Sequence, residues 1–222
     1  MNVAAFFDEL YTTHERYWWR DKDRYATSAD AYPYSLLTQL TLRLLASRAP
    51  GRALDLGAGE GSDSIRLAIL GYEVDALEVS EVAAKKIRGF AAGAGVQIRV
   101  RVADVAEFIP RGPYDIVICN GVLQYIRDKE TVVRRMQDAT LPGGINVVSL
   151  WSSYTPVPEQ HNCVPIFCDD EDGEVSKLYQ EWPKELHYFE RDKPETSHSD
   201  MPSHCHSHIK LIARKPVAGE RT

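Results

Sequence analysis

Val3, Phe6, Phe7, Leu10, Tyr11, His14, Tyr17 and Trp18 recur at three- and four-residue spacing. That period predicts an amphipathic helix with an aromatic face over residues 3 to 19. A second helix is expected from near Tyr32, with Pro33 in its first turn. Leu36, Leu37, Leu40, Leu44 and Leu45 form its stripe, and it ends before Pro50-Gly51. The pattern then shortens. Ala53 to Leu56 is a brief apolar run, read as a strand that ends in glycines. A helix follows from Gly61 through Ile65, Leu67, Ala68 and Leu70, and stops at Gly71. Glu73 to Leu77 reads as a strand ending at Glu78, and Ser80 as the cap of a helix over 81 to 92. Val96 to Val102 alternates as a third strand, with Asp104 just past its end. Tyr114 to Cys119 is continuously apolar, which suits a strand covered on both faces. Lys129 to Thr140 is a helix with Val132, Val133 and Met136 inward; Leu141-Pro142-Gly143-Gly144 breaks it, and Ile145 to Leu150 is a fifth strand.

This alternation calls for a mostly parallel sheet with helices on both faces, an α/β doubly wound, Rossmann-like arrangement. After Trp151 the pattern changes. Residues 152 to 173 hold three prolines and an acidic cluster. Glu174 to Trp182 reads as a short helix, and Glu185 to Glu190 and His206 to Ala213 as an antiparallel pair at the sheet edge. The expected organisation is a helical cap over 1 to 50, one α/β unit over 51 to 216, and a frayed tail over 217 to 222.

Composition removes several function classes. The 222 residues carry a formal net charge of −6 and show no basic stripe, which argues against a nucleic-acid partner. No apolar run approaches a membrane span, and MNVAAFFDEL lacks the basic region of a secretory signal. Cys119, Cys163, Cys168 and Cys205 are too few and too irregular for a disulfide framework, so a reduced, cytoplasmic setting is expected. Monomer and homodimer both remain open.

Candidate chemistry starts at Gly57-Ala58-Gly59-Glu60-Gly61, at the carboxyl end of the first strand, where open parallel sheets bind ligands. Gly57 and Gly59 let the backbone approach a ligand closely. Asp55, Glu78 and Asp104 stand at three consecutive strand ends. Together they suit a ligand with a positive charge, a ribose and an amino-bearing base, with the Val105 amide beside the base. A dinucleotide fingerprint wants glycine at its sixth position; here that is Ser62, and Glu60 sets a negative charge beside the helix N-terminus. A pyrophosphate is disfavoured there, whereas a sulfonium and an amino-acid zwitterion are tolerated.

ALDLGAGEG, ALEVS, ADV, YDIVICNGVLQYI and LPGGINVVSL stand in one order over residues 50 to 151. On these stretches the chain resembles a class I S-adenosylmethionine-dependent methyltransferase. The resemblance implies a seven-stranded sheet of order 3-2-1-4-5-7-6, the last strand antiparallel, with an N-terminal helical lid. It implies S-adenosylmethionine as cofactor, S-adenosylhomocysteine as product and a small-molecule acceptor. By position, Asp55, Gly57, Ala58, Gly59 and Gly61 border the methionyl part, Glu78 and Val79 the ribose, Asp104 and Val105 the adenine. Asn120 faces the methionyl end or the acceptor. GYEVDALEVS, KLYQEW, IKLIARKP and the stretch Asp23 to Tyr25 are similar to the tellurite-resistance type of small methyltransferase. In that group a histidine before the last strand lies near the transferred methyl; here His198 stands there, followed by Ser199.

The chain's two ends carry the acceptor candidates. YWWRDKDRY (17 to 25) mixes rings and charge. It serves either as packing or as cover, with Tyr17 and Arg20 on the cofactor, Trp18 on the acceptor and Tyr25 as a candidate catalytic group. Trp19 belongs to the same cover. Gln124, Tyr125 and Trp151 are acceptor candidates as well. His204, His206 and His208 share one strand face, and His198, His206 and His208 are candidates to remove a proton. No closed ligand pattern accompanies them and Cys205 points the other way, so no metal is expected. Two other readings stay open: a silent S-adenosylmethionine sensor and a nicotinamide-dependent oxidoreductase.

Overall fold

The computed structural model describes residues 2–17, 35–159, 163–195, 203–217 and 219. Its seven strands follow the order β3-β2-β1-β4-β5-β7-β6, the order expected from the resemblance. Contacts divide the chain into two compact units, residues 1–105 and 106–222.

In the first unit, β1 (Arg52–Leu56) pairs in parallel with β2 (Glu73–Glu78), which pairs in parallel with β3 (Ile98–Val102). Crossover helices α3 (Ser62–Ile69) and α4 (Glu81–Gly93) connect them. Ser80 caps α4 as expected, its side chain accepting from the Ala83 amide. Ile65, Leu67, Ala83, Ala84 and Ile87 are buried, so both helices turn an apolar stripe inward.

Two further helices precede the sheet in the chain. α1 (Val3–Thr13) ends six residues earlier than the aromatic periodicity predicts. The Thr12 and Thr13 hydroxyls and the His14 ring bond back to the carbonyls of the last turn, and His14 is extended. Side chains that compete for the backbone in this way favour helix ends. α2 (Leu36–Leu44) is capped by Ser35.

In the second unit, β4 (Tyr114–Asn120) is almost wholly buried and pairs in parallel with β5 (Thr140–Ser152). β7 (His204–Arg214) lies antiparallel between β5 and β6 (Lys184–Glu195). α5 (Lys129–Ala139) and the short α6 (Glu174–Leu178) belong to this unit. β5 corrects the expectation for Leu141-Pro142-Gly143-Gly144. Instead of a break between elements, the stretch is an irregularity inside the strand, between the pairs Tyr114↔Thr140 and Ile116↔Ile145. Its backbone groups are met by Lys215, which accepts from Gly143 N at 2.8 Å and donates to Gly144 O at 2.8 Å. Pairing of this kind lets a proline and two glycines sit within a ladder.

All four cysteines are free thiols. Among the described residues, no helix is long and apolar enough to cross a membrane.

Candidate functional site

The glycine turn is built against the end of β2. Gly57 N and Ala58 N both donate to Leu77 O, at 2.8 and 2.9 Å, and Gly59 N donates to Glu78 Oε2 at 2.7 Å. Gly61 N closes the turn onto Ala58 O at 2.8 Å and then caps α3. Gly57, Gly59 and Gly61 have φ of +70°, +57° and +81°. At Gly61 an added Cβ would also meet Ile87 Cγ1 and Cγ2 at 3.0 Å. Gly61→Ala is therefore expected to destabilise the protein by about 2 kcal/mol, the left-handed cost plus displacement of Ile87. Urea unfolding measures it, and an unchanged midpoint contradicts this geometry.

Behind the turn lie buried carboxyls. Asp55 Oδ2 accepts from Ser64 Oγ at 2.6 Å. Glu78, 4% exposed, also accepts from Ser80 N through Oε1 at 3.0 Å. Asp63 is buried in the first turn of α3 and accepts from Ser35 N at 2.7 Å. Burial, first, and then the charge of Asp63 push the Asp55 carboxyl up. Burial raises Glu78 from 4.5 to about 7, against the pull of its backbone amides. Asp63 and Ser64 were not singled out in the sequence. The signal that could have found them is the acid in the first turn after the glycines.

These shifts make a prediction for the ligand-free protein. The folded chain holds these two protons more tightly than the unfolded chain does. Their contribution to stability is thus full below the ordinary carboxyl range and is lost as the pH rises through about 7. The melting temperature is expected to fall over that interval, and Glu78→Gln to flatten the slope. A slope that Glu78→Gln leaves untouched contradicts the assignment.

Glu60 requires a correction. The sequence places its charge beside the helix N-terminus, whereas the structure turns the side chain inward, 1% exposed. Oε1 pairs with Lys86 Nζ at 2.9 Å and Oε2 accepts from Tyr17 N at 2.8 Å. Buried charge persists only when paired, and Lys86 supplies the pair from α4. Asp55, Asp63 and Glu78 are the other buried acids at the turn. The Tyr17 ring packs among Tyr11, Ala83 and His14. Val79 is partly exposed, Asp104 is exposed and Val105 is buried, just past β3, where Ala103 N donates to Glu78 O.

The second unit carries a cluster of its own. At the end of β4, Asn120 Oδ1 accepts from Ser149 Oγ, and Gly121 N donates to Ser149 O at 2.9 Å. Gln124, 2% exposed, donates through Nε2 to Gly121 O at 2.8 Å. Its Oε1 is buried with no hydrogen-bond partner among the described residues. Tyr125 lies 6.2 Å from Trp151, between ring centroids. Trp151 stacks on His206 at 4.0 Å and 11°. His204 and His208 flank His206 at 4.9 and 6.1 Å. Glu190 Oε2 sits 3.8 Å from His208 Nδ1 and pairs with Lys210 at 2.6 Å. The structure thus brings together Tyr125, Trp151, His206 and His208. Trp18, Trp19, Arg20, Tyr25 and His198 lie outside the described residues. Among the described residues, no group of three or more histidines, cysteines or acids could hold a metal ion.

A family model described as "Tellurite resistance protein TehB" matches residues 35–203. The ubiquinone biosynthesis O-methyltransferase of Bordetella pertussis is 33% identical over 95 residues, covering 42% of this chain and 39% of that protein. The chain thus spans less than half the length of this curated relative. TehB from Haemophilus influenzae superposes with a TM-score of 0.68 at 20% identity, over 90% of this chain and 67% of that one. Magnesium protoporphyrin IX methyltransferase from Synechocystis PCC 6803, solved with bound SAH, gives 0.65 at 17% identity, over 96% and 97%. At such identities these two likenesses concern the fold.

Proposed function

The chain belongs to the TehB tellurite-resistance family, and from that premise we propose that it is an S-adenosylmethionine-dependent methyltransferase acting on a small-molecule acceptor. The observation that carries the reading is the concentration of buried carboxyls at the glycine turn. Burial, the largest cause, pushes both the Asp55 and the Glu78 carboxyl above the ordinary range. A cationic ligand relieves that penalty and a pyrophosphate aggravates it. When bound, S-adenosylmethionine supplies an already electrophilic methyl on a positive sulfonium.

The chain's own residues then bind, orient and exclude water. Gly57, Ala58, Gly59 and Gly61 offer a close backbone surface. Asp55 provides the field, and Glu78 beside Val79 accepts from the ribose hydroxyls. Asp104 and Val105 border the adenine, and Asn120 serves the methionyl end. Tyr125 and Trp151 form an apolar wall for the acceptor, and Gln124 Oε1 offers it a hydrogen-bond acceptor. His206 and His208 are the proposed proton acceptors, needed only where the acceptor is protonated at neutral pH. A relative named for O-methylation in ubiquinone biosynthesis supports a small acceptor, as does the net charge of −6. A cytoplasmic setting is part of the same proposal.

Isotope-labelled methyl donor tests it, offered with a panel of quinols, phenols, amines, thiols and chalcogen oxyanions. Label is expected in at least one organic or oxyanion product. Tight S-adenosylhomocysteine binding with no transfer to any member favours a sensor instead.

A further inference from the structure

Two backbone amides report on the glycine turn from far along the chain. Tyr17 N donates to Glu60 Oε2 at 2.8 Å, and Ser35 N donates to Asp63 Oδ1 at 2.7 Å. Both acceptors are buried carboxylates within three residues of each other, one inside the turn and one in the first turn of α3. Amide bonds to ionised acceptors are among the stronger kinds. Lys86 reinforces the first, because its Nζ pairs with Glu60 and also donates to His14 O. α1 is held to the same frame by Asp8, whose Oδ1 accepts from Ser80 Oγ at 2.6 Å and Val82 N at 3.2 Å at the start of α4. Ser80 N in turn donates to Glu78 Oε1. Residues 2–17 and the start of α2 are therefore fastened to the same few residues that shape the turn.

We propose that Glu60 and Asp63 are positioning residues that couple cofactor occupancy at the glycine turn to the docking of residues 2–17 and the start of α2. This rests on the S-adenosylmethionine reading. A ligand that fixes Gly59 and Gly61 fixes Glu60 between them, and with it the acceptor for Tyr17 N. Coupling of this kind is reciprocal: what loosens residues 2–17, the N-terminal arm, weakens ligand binding by the same factor. Loss of the Glu60 carboxylate leaves the turn's glycines in place but unlinks them from the arm.

Hydrogen exchange at the Tyr17 and Ser35 amides tests this in the intact chain, with S-adenosylhomocysteine as probe. Binding is expected to slow both by about tenfold beyond any slowing at the amide of Val117, buried in β4, a typical coupling magnitude. In Glu60→Ala the effect at Tyr17 is expected to vanish while that at Ser35 persists. The probe's affinity is expected to fall about tenfold, with Asp8→Ala adding little to that loss in the double variant. Tyr17 and Ser35 amides indifferent to the probe overturn the coupling, as does probe-dependent protection of Tyr17 that survives in Glu60→Ala. Failure of the wild-type chain to bind the probe at all overturns the cofactor reading, and the coupling with it.

Discussion

Glu78→Ala is expected to lower the affinity for S-adenosylhomocysteine by about a hundredfold, roughly the loss of one or two charge-assisted hydrogen bonds. The expectation combines two consequences of one carboxylate. Facing the ligand, Glu78 is the acceptor proposed for the ribose hydroxyls at the carboxyl end of β2. Facing the protein, it holds Gly59 N at 2.7 Å and Ser80 N at 3.0 Å. Alanine therefore removes a ligand contact and releases the turn. Glu78→Gln separates the two effects, because an amide keeps one acceptor oxygen and loses the charge. Its affinity should fall between wild type and alanine, and the pH dependence of apo stability should flatten. Calorimetric titration reads the affinity, and wild-type affinity in Glu78→Ala would remove the ribose assignment.

His206→Phe is the second large effect. The ring stacks on Trp151 at 4.0 Å, and His206 is 2% exposed, so alanine would leave a cavity and confuse stability with chemistry. Phenylalanine keeps a stacked ring and removes both nitrogens. Turnover is expected to fall about a hundredfold, within the usual range for a lost general base. Affinity for S-adenosylhomocysteine should stay at the wild-type value. Because His208 lies 3.8 Å from Glu190, His208→Phe is the matched comparison. If neither substitution slows turnover on an acceptor with a neutral-pH proton, the proton-acceptor role is wrong. A fall in cofactor affinity without a fall in turnover would likewise contradict it.

The glycine turn and the acids at its strand ends were legible in the sequence for a simple reason. A buried strand that runs into glycines leaves a local record of composition and spacing. So do the alternating edge strands, and the resemblance supplied their order. What was not legible depends on pairings between distant positions. Lys86 lies 26 residues from Glu60, and nothing in its helix marks it as the partner that neutralises a buried acid. Asp63 reads as an ordinary first-turn acid until Ser35 donates to it. The early end of α1 follows from hydroxyl and imidazole groups bonding back to its last carbonyls, which overrides a longer aromatic periodicity. The irregularity in β5 survives because Lys215 supplies the backbone partners, and Lys215 is remote from it in sequence. For the acceptor cluster the histidine spacing was readable, but the stacking of His206 on Trp151 was not. That contact joins two strands whose register the sequence leaves open.

The most direct measurement is calorimetric titration of the purified chain with S-adenosylhomocysteine and, separately, with NAD. Saturable one-to-one binding of S-adenosylhomocysteine, lost in Glu78→Ala, with no heat from NAD is the predicted result. Binding of NAD with no response to S-adenosylhomocysteine would contradict the methyltransferase reading at its base.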